Sequence, residues 1–207
     1  TFLRTPLRVP NVFLEREKIV LRHINAVLFA YAYQGVSHEH PELRPDKTGA
    51  MDAFGKVGAL SGRRPLPYWR DASKPQRSPN GTDYSDAIVD FLRGIQEGGS
   101  SIRSEIQWML SGTSESIREL ADEDSMWSEY VEQLSASLSK AFGDWKRQFD
   151  QLIEAWDDLS DSASSKSTGN AYYFQTLERW QTYVIKMLAD ESILPRYGFP
   201  INLHRLN

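Results

Sequence analysis

The sequence predicts an all-α protein. The expected architecture is a helical bundle with a long antiparallel helical hairpin, plus an irregular Pro/Gly-rich basic segment and a terminal strand. Three observations carry this expectation. Between Asp124 and Ser160 the apolar residues Trp127, Val131, Leu134, Leu138, Phe142, Trp145, Phe149, Leu152, Trp156 and Leu159 recur every three or four positions. That spacing keeps one stripe on one helix face, with a single four-residue stutter between Leu138 and Phe142. Shorter stripes of the same period stand before and after it, and strand-like alternation appears only near the end, in Ile201, Leu203 and Leu206.

The elements follow in order. A lead containing Pro6 and Pro10 precedes a helix over Glu15–Gln34, where Ile19, Val20, Ile24, Val27, Leu28 and Tyr31 share a face. Glu15 and Glu17 suit the positive end of its dipole, and Gly35 is the expected stop. Val36–Asn80 is rich in Pro, Gly and basic residues and offers one short helical stretch, Asp52–Leu60. Pro65, Pro67, Pro75 and Pro79 make the stretch up to Gly81 extended and irregular. Thr82 or Asp83 then caps a helix with Tyr84, Ala87, Ile88, Phe91, Leu92 and Ile95 inward, ended by Gly98-Gly99. A further helix starts at Ser100 or Ser101 with Ile102, Ile106, Met109 and Leu110 on one side, and a short one spans Ser114–Ala121.

The 124–160 helix is a rod of roughly 55 Å at about 1.5 Å per residue. Ser160–Thr168 reads as a flexible tether, and Asn170–Asp190 as the return helix, with Tyr173, Leu177, Trp180, Val184, Met187 and Leu188 in a stripe. A return helix of roughly 30 Å covers little more than half of the rod. The seam from Trp127 to Leu138 must therefore pack on the helices at 84–96 and 101–110. The pattern divides the chain into residues 1–81 (helix and basic segment), 82–190 (bundle) and 191–207 (turn and strand). That strand has no partner in the sequence, so the chain reads as a segment of a larger protein.

Composition bounds the function. Hydrophobic residues at 40% and charged residues at 25% are ordinary for a soluble protein. The absence of cysteine excludes a disulfide scaffold and any cysteine-ligated metal within these residues. No apolar run approaches the roughly 20 residues of a membrane span, and the amino-terminal stretch lacks a secretory pattern, so a cytoplasmic protein without a membrane partner is expected. The charge is uneven. Residues 1–70 hold 11 Lys/Arg against 6 Asp/Glu, whereas residues 71–160 hold 8 against 18. An acidic middle is a poor surface for nucleic acid, and the basic first third is the better one.

No phosphate-binding loop, dinucleotide fingerprint, nucleophile elbow or His-Glu-x-x-His motif is present. His38, Glu39, His40 and Glu42 are the only group with metal-ligand chemistry, and their place in a Pro/Gly-rich stretch favours an exposed polar loop. The aromatic residues of the long helix follow its apolar seam and read as core. The candidate nucleic-acid contacts are Arg4, Arg8, Arg22, His23, Arg63, Arg64, Trp69, Arg70 and Lys74. Cations interleaved with an indole suit phosphate contact plus base stacking on a single strand. A basic loop docked on an acidic neighbour is the equal alternative.

Two patches carry a resemblance: Val9-Pro10-Asn11-Val12 through Lys18-Ile19-Val20-Leu21-Arg22-His23-Ile24-Asn25-Ala26, and Leu194-Pro195-Arg196-Tyr197-Gly198-Phe199-Pro200. Both resemble the region after the two motor domains of large bacterial superfamily 2 DNA helicases of the MrfA-like and DISARM phage-defence kind. The resemblance covers roughly 35 residues at the two ends and none of the middle. It implies a variable helical insert between the second motor domain and a C-terminal domain with a four-cysteine zinc cluster. ATP, magnesium and zinc would then belong to the rest of the parent protein, with no cofactor in this segment. DNA, the remaining helicase domains and subunits of a defence complex are the implied partners. Arg22, His23 and Asn25 match the family helix, and a buried polar contact is the plain alternative role for them. The expected function is an accessory helical domain without catalysis of its own; the alternative is a stand-alone helical module for protein–protein interaction.

Overall fold

Eight α-helices make up the regular structure among the described residues: α1 (Glu17–Glu39), α2 (Val57–Leu60), α3 (Tyr84–Gly94), α4 (Ser101–Leu110), α5 (Glu115–Asp122), α6 (Asp124–Ser160), α7 (Lys166–Trp180) and α8 (Val184–Asp190). The computed structural model of the protein describes residues 17–43, 53–63, 81–95, 101–160 and 166–196. The terminal strand expected at 201–207 and the glycine stop at Gly98-Gly99 lie outside the described residues, among which no strand occurs. One apolar core runs from Val20 to Leu194 and draws on every helix except α7's outer face.

α6 is the long wall of this core. Trp127, Val131, Leu134, Leu138, Phe142, Trp145 and Phe149 are all buried, as their spacing predicts. At roughly 1.5–3 kcal/mol per fully buried large apolar side chain, this seam is a main source of cohesion. Trp145 and Phe149 stack at 5.1 Å, which places these rings in the core, where no base can reach them. After Phe149 the seam differs from expectation. Ile153 is the buried residue and Leu152 is half-buried. The step from Phe149 to Ile153 is a second four-residue stutter, which follows the straight helix's natural period of 3.6 better than continued heptads would.

α1 is central. It runs through Glu39, past the expected stop, with Leu28, Phe29, Ala30, Ala32, Tyr33 and Val36 all buried. A helix buried on nearly all sides is read from a continuous apolar run, here Ala26–Tyr33, more than from one stripe. Ile19, expected inward, is exposed. Gly35 does not stop the helix because its bare Cα receives the ring of Phe91, which any Cβ would meet. That close approach and the burial of Val36 outweigh a helical glycine's cost of about 1 kcal/mol.

Cross-contacts orient the helices. Phe91 meets Tyr31 at 5.9 Å and Tyr84 meets His40 at 4.9 Å, so α3 runs opposite to α1. Lys146 reaches the start of α3 and Glu132 its end, so α3 also runs opposite to α6. Asp83 caps α3 by accepting the Ser85 backbone N–H at 3.0 Å. α3, α5 and α7 pack on α6, α3 reaching it from Glu132 to Lys146 and α7 at Trp145 and Gln148. The expected partner at 101–110 packs instead on α5 and α1. It reaches α6 through Arg103, which donates to the carbonyls of Ala121 and Asp122 and to Asp124 and lies over the Trp127 ring. Met109 of α4, expected inward, is exposed.

The return helix is two helices. α7 begins at Lys166, inside the expected tether, and ends at Trp180; α8 starts at Val184. In between, Val57 N–H donates to Thr182 O at 2.9 Å and Val184 N–H donates to Gly55 O at 3.1 Å, an isolated antiparallel bridge of Lys56 with Tyr183. Thr182, Tyr183 and Val184 are residue types that favour extended backbone, and Lys56 Nζ lies 3.2 Å from the Tyr183 ring centroid. No helix among the described residues is long and apolar enough to cross a membrane.

The seam shift is testable by denaturation. Ile153→Ala is expected to lose about 2–5 kcal/mol of stability and Leu152→Ala clearly less. The reverse order would restore the strict heptad reading.

Candidate nucleic-acid interface

Gly62 holds a positive φ of +64°, and the Gly81 N–H donates to its carbonyl at 2.6 Å. A Cβ on Gly62 would stand 2.5 Å from Gly81 O and 2.6 Å from Thr82 O, both backbone atoms that cannot step aside. Only glycine fits. The two ends that carry residues 64–80, the Pro-rich basic stretch, therefore meet at one place on the bundle.

Side chains fasten both ends to α6. Arg63 makes a two-pronged ion pair with Asp150, Nε to Oδ1 at 3.0 Å and Nη2 to Oδ2 at 2.7 Å. Lys146, one turn before Asp150, donates to Asp83 at 2.9 Å. Opposite signs one turn apart on α6 thus grip opposite signs on the two ends. Forked arginine–carboxylate pairs are among the stronger polar contacts, and these lie partly out of water, with Arg63 at 17% and Lys146 at 18% side-chain exposure. Trp180 adds an indole N–H bond of 2.7 Å to the Arg63 carbonyl, its ring lying on Gly58 where no Cβ would fit. Beside this stem opens a hollow of about 390 Å³, lined by Ala59, Gly62, Arg63, Gly81, Thr82 and Tyr84.

A second polar junction lies toward the other end of α6. Asn25 Nδ2 donates to the Ile193 carbonyl at 2.9 Å, and the Tyr130 hydroxyl lies within hydrogen-bond reach of the Asn25 Oδ1 and of Leu21 O, the latter at 3.0 Å. Burial pushes the Tyr130 hydroxyl far above its ordinary pKa, so it stays a neutral donor at every physiological pH. α1, α6 and the segment after α8 are pinned together here. Arg22 and His23 stand half-buried beside it, and no hydrogen bond or ion pair engages their side chains among the described residues.

The His38–Glu42 stretch forms the end of α1 and a 3₁₀ turn, Pro41–Leu43. Tyr84 donates to Glu42 and His40 Nδ1 lies 3.4 Å from Glu42, so these side chains engage one another. The Tyr84 bond, then the backbone of Glu42, hold the Glu42 carboxyl below its usual range; the same bond raises Tyr84. Among the described residues no group of three or more His, Asp or Glu side chains is placed to hold a metal ion.

Of the sequence-derived contacts, Arg63 sits at the stem, committed to Asp150, while Arg22 and His23 sit at the Asn25 junction. The two places are not brought together. Tyr130 and Asp150 lie 20 positions apart on α6, about 30 Å along a helix. Arg4, Arg8, Arg64, Trp69, Arg70 and Lys74 lie outside the described residues. Arg63 alone of the 63–77 basic positions is described, and it docks on the acidic Asp150. Tyr130, Lys146 and Asp150 were not singled out by the sequence. Tyr130 alone gave a signal, a hydroxyl-bearing ring beside a buried seam, which usually has a polar partner.

No protein-family model, curated protein or solved structure matches this chain.

Two outcomes follow from this geometry. Gly62→Ala is expected to cost about 2–4 kcal/mol, adding left-handed strain to backbone overlap. Gly55→Ala shares a positive φ of +68° but has nothing within 4 Å of the new Cβ, so only the strain of about 1 kcal/mol remains. Equal losses in urea unfolding would refute the stem contact. For Glu42 the folded pKa is lowered, so its contact with Tyr84 is present above the unfolded value and released as pH falls through the folded one. In NMR titrations Tyr84→Phe should move the Glu42 midpoint upward; an unmoved midpoint would deny the bond.

Proposed function

We propose that this chain is a helical accessory module of an ATP-dependent DNA helicase or translocase of the MrfA-like and DISARM kind, working in the bacterial cytoplasm and in phage defence. One observation supports it above the others. The two patches that carry the resemblance are 168 residues apart, yet Asn25 of the first donates to the carbonyl of Ile193, the residue just before the second. An insert that leaves and rejoins a host fold must have its two ends close together. The contact between Asn25 and Ile193 supports such an attachment.

In this reading the module binds DNA or couples the motor to the domain that follows the 191–207 turn and strand, and it performs no catalysis. The sequence has no cysteine, so a zinc cluster belongs to other parts of the parent, as do ATP and magnesium. Arg64, Trp69, Arg70 and Lys74, carried on the Gly62–Gly81 stem, supply phosphate contact and stacking. Arg22 adds positive charge at the Asn25 junction, with His23 beside it, and Arg4 and Arg8 belong to the same basic first third of the sequence. Arg63 anchors the stem and is not itself a phosphate ligand.

The test is binding of a labelled 20-nucleotide single strand to the 207-residue chain, followed by fluorescence anisotropy as salt rises. With about four phosphates neutralised, log K should fall against log salt with a slope near −3. Arg64→Glu with Arg70→Glu should flatten that slope by roughly one and a half units. ATP hydrolysis is expected to be nil. No binding at low salt, salt-independent binding, or turnover of ATP would overturn the reading.

A further inference from the structure

Carboxylates fasten the stem, although a carboxylate by itself repels nucleic acid. Asp150 takes both prongs of the Arg63 guanidinium. Asp83 takes the Lys146 ammonium at 2.9 Å, with Asp86 as a second acceptor at 3.4 Å. Asp150, Asp83 and Asp86 all belong to residues 71–160, where 18 acids stand against 8 bases. By charge alone each of them opposes a phosphate. Their contacts give them the opposite effect.

The bond from Gly81 N–H to Gly62 O brings the two ends together, but glycine backbone alone leaves their direction loosely set. The forked Arg63–Asp150 pair sets it, because a planar guanidinium meets a carboxylate edge in one orientation. The Trp180 indole N–H on the Arg63 carbonyl fixes the backbone at the same residue. Lys146 and Asp83 do for the far end what Asp150 and Arg63 do for the near one. Between these ends the sequence holds Arg64, Arg70, Lys74 and Arg77 against one acid, Asp71. A basic segment whose two ends are already directed loses less freedom on meeting a strand, and the difference appears as affinity.

Resting on the DNA reading above, we infer that Asp150, seconded by Asp83, is a positioning residue for nucleic-acid binding. It is an acidic side chain that raises affinity for a polyanion. Asp150 touches no phosphate and acts through Arg63. The test repeats the anisotropy titration of the labelled single-stranded 20-mer with variants that each remove one negative charge. Asp150→Asn should weaken binding roughly threefold to tenfold at fixed salt, with the salt slope and the circular dichroism spectrum unchanged. Asp150→Glu keeps the charge and should bind like the parent chain. Asp83→Asn, which keeps the α3 cap, should weaken binding by a smaller factor, because Asp86 remains for Lys146. Glu154→Gln removes the same charge one turn further along α6, where the carboxylate is exposed, and should not weaken binding. Tighter binding or a steeper slope for Asp150→Asn would overturn the inference, since Arg63 would then be a phosphate ligand that Asp150 had masked. A loss from Glu154→Gln as large as that from Asp150→Asn would overturn it too. Either result leaves the DNA reading standing, because the parent chain still binds with its slope near −3. No binding by the parent chain at low salt is the separate failure of that reading, and this inference falls with it.

Discussion

A 37-residue amphipathic helix cannot keep its apolar stripe in water, and the arrangement of this protein follows from covering α6. No single neighbour is long enough. α5, α3 and α7 share it, and α1, the most deeply buried helix, packs on α3. Burial of Trp127, Phe142 and Phe149 to 1% exposure fixes how each neighbour meets the rod. Apolar packing alone would still tolerate sliding by a turn, because successive turns of such a seam look alike.

Two polar pins remove that freedom. Near the start of α6 the Tyr130–Asn25–Ile193 chain joins three segments; further along, Lys146 and Asp150 hold Asp83 and Arg63. Exposed ion pairs contribute little, but partly buried, forked pairs impose geometry, since a shift of one turn would leave charge without a partner.

Much of the architecture was legible because it is written in periodicity. The buried seam from Trp127 to Phe149, the cap at Asp83 and the starts of α4, α5 and α6 follow from spacing and capping chemistry alone. The misreadings share a physical cause, tertiary contact overriding a local signal. Gly35 looked like a stop until Phe91 lay on it, and Thr182–Val184 looked helical until Gly55–Val57 offered it backbone partners. Met109 fits the inward stripe by spacing, yet it is 42% exposed. Of the candidate contacts, the sequence marked Arg63 as basic but could not show Asp150 waiting 87 positions away.

The bond between Asn25 and Ile193 also decides how the molecule bears load. A pull applied between Glu17 and Arg196 does not run through the bundle. It is short-circuited across the few atoms joining α1 to the segment after α8, with Tyr130 as a brace. The helices between those two residues are mechanically in parallel with that clasp, not in series with it, and their core is spared until the clasp gives way.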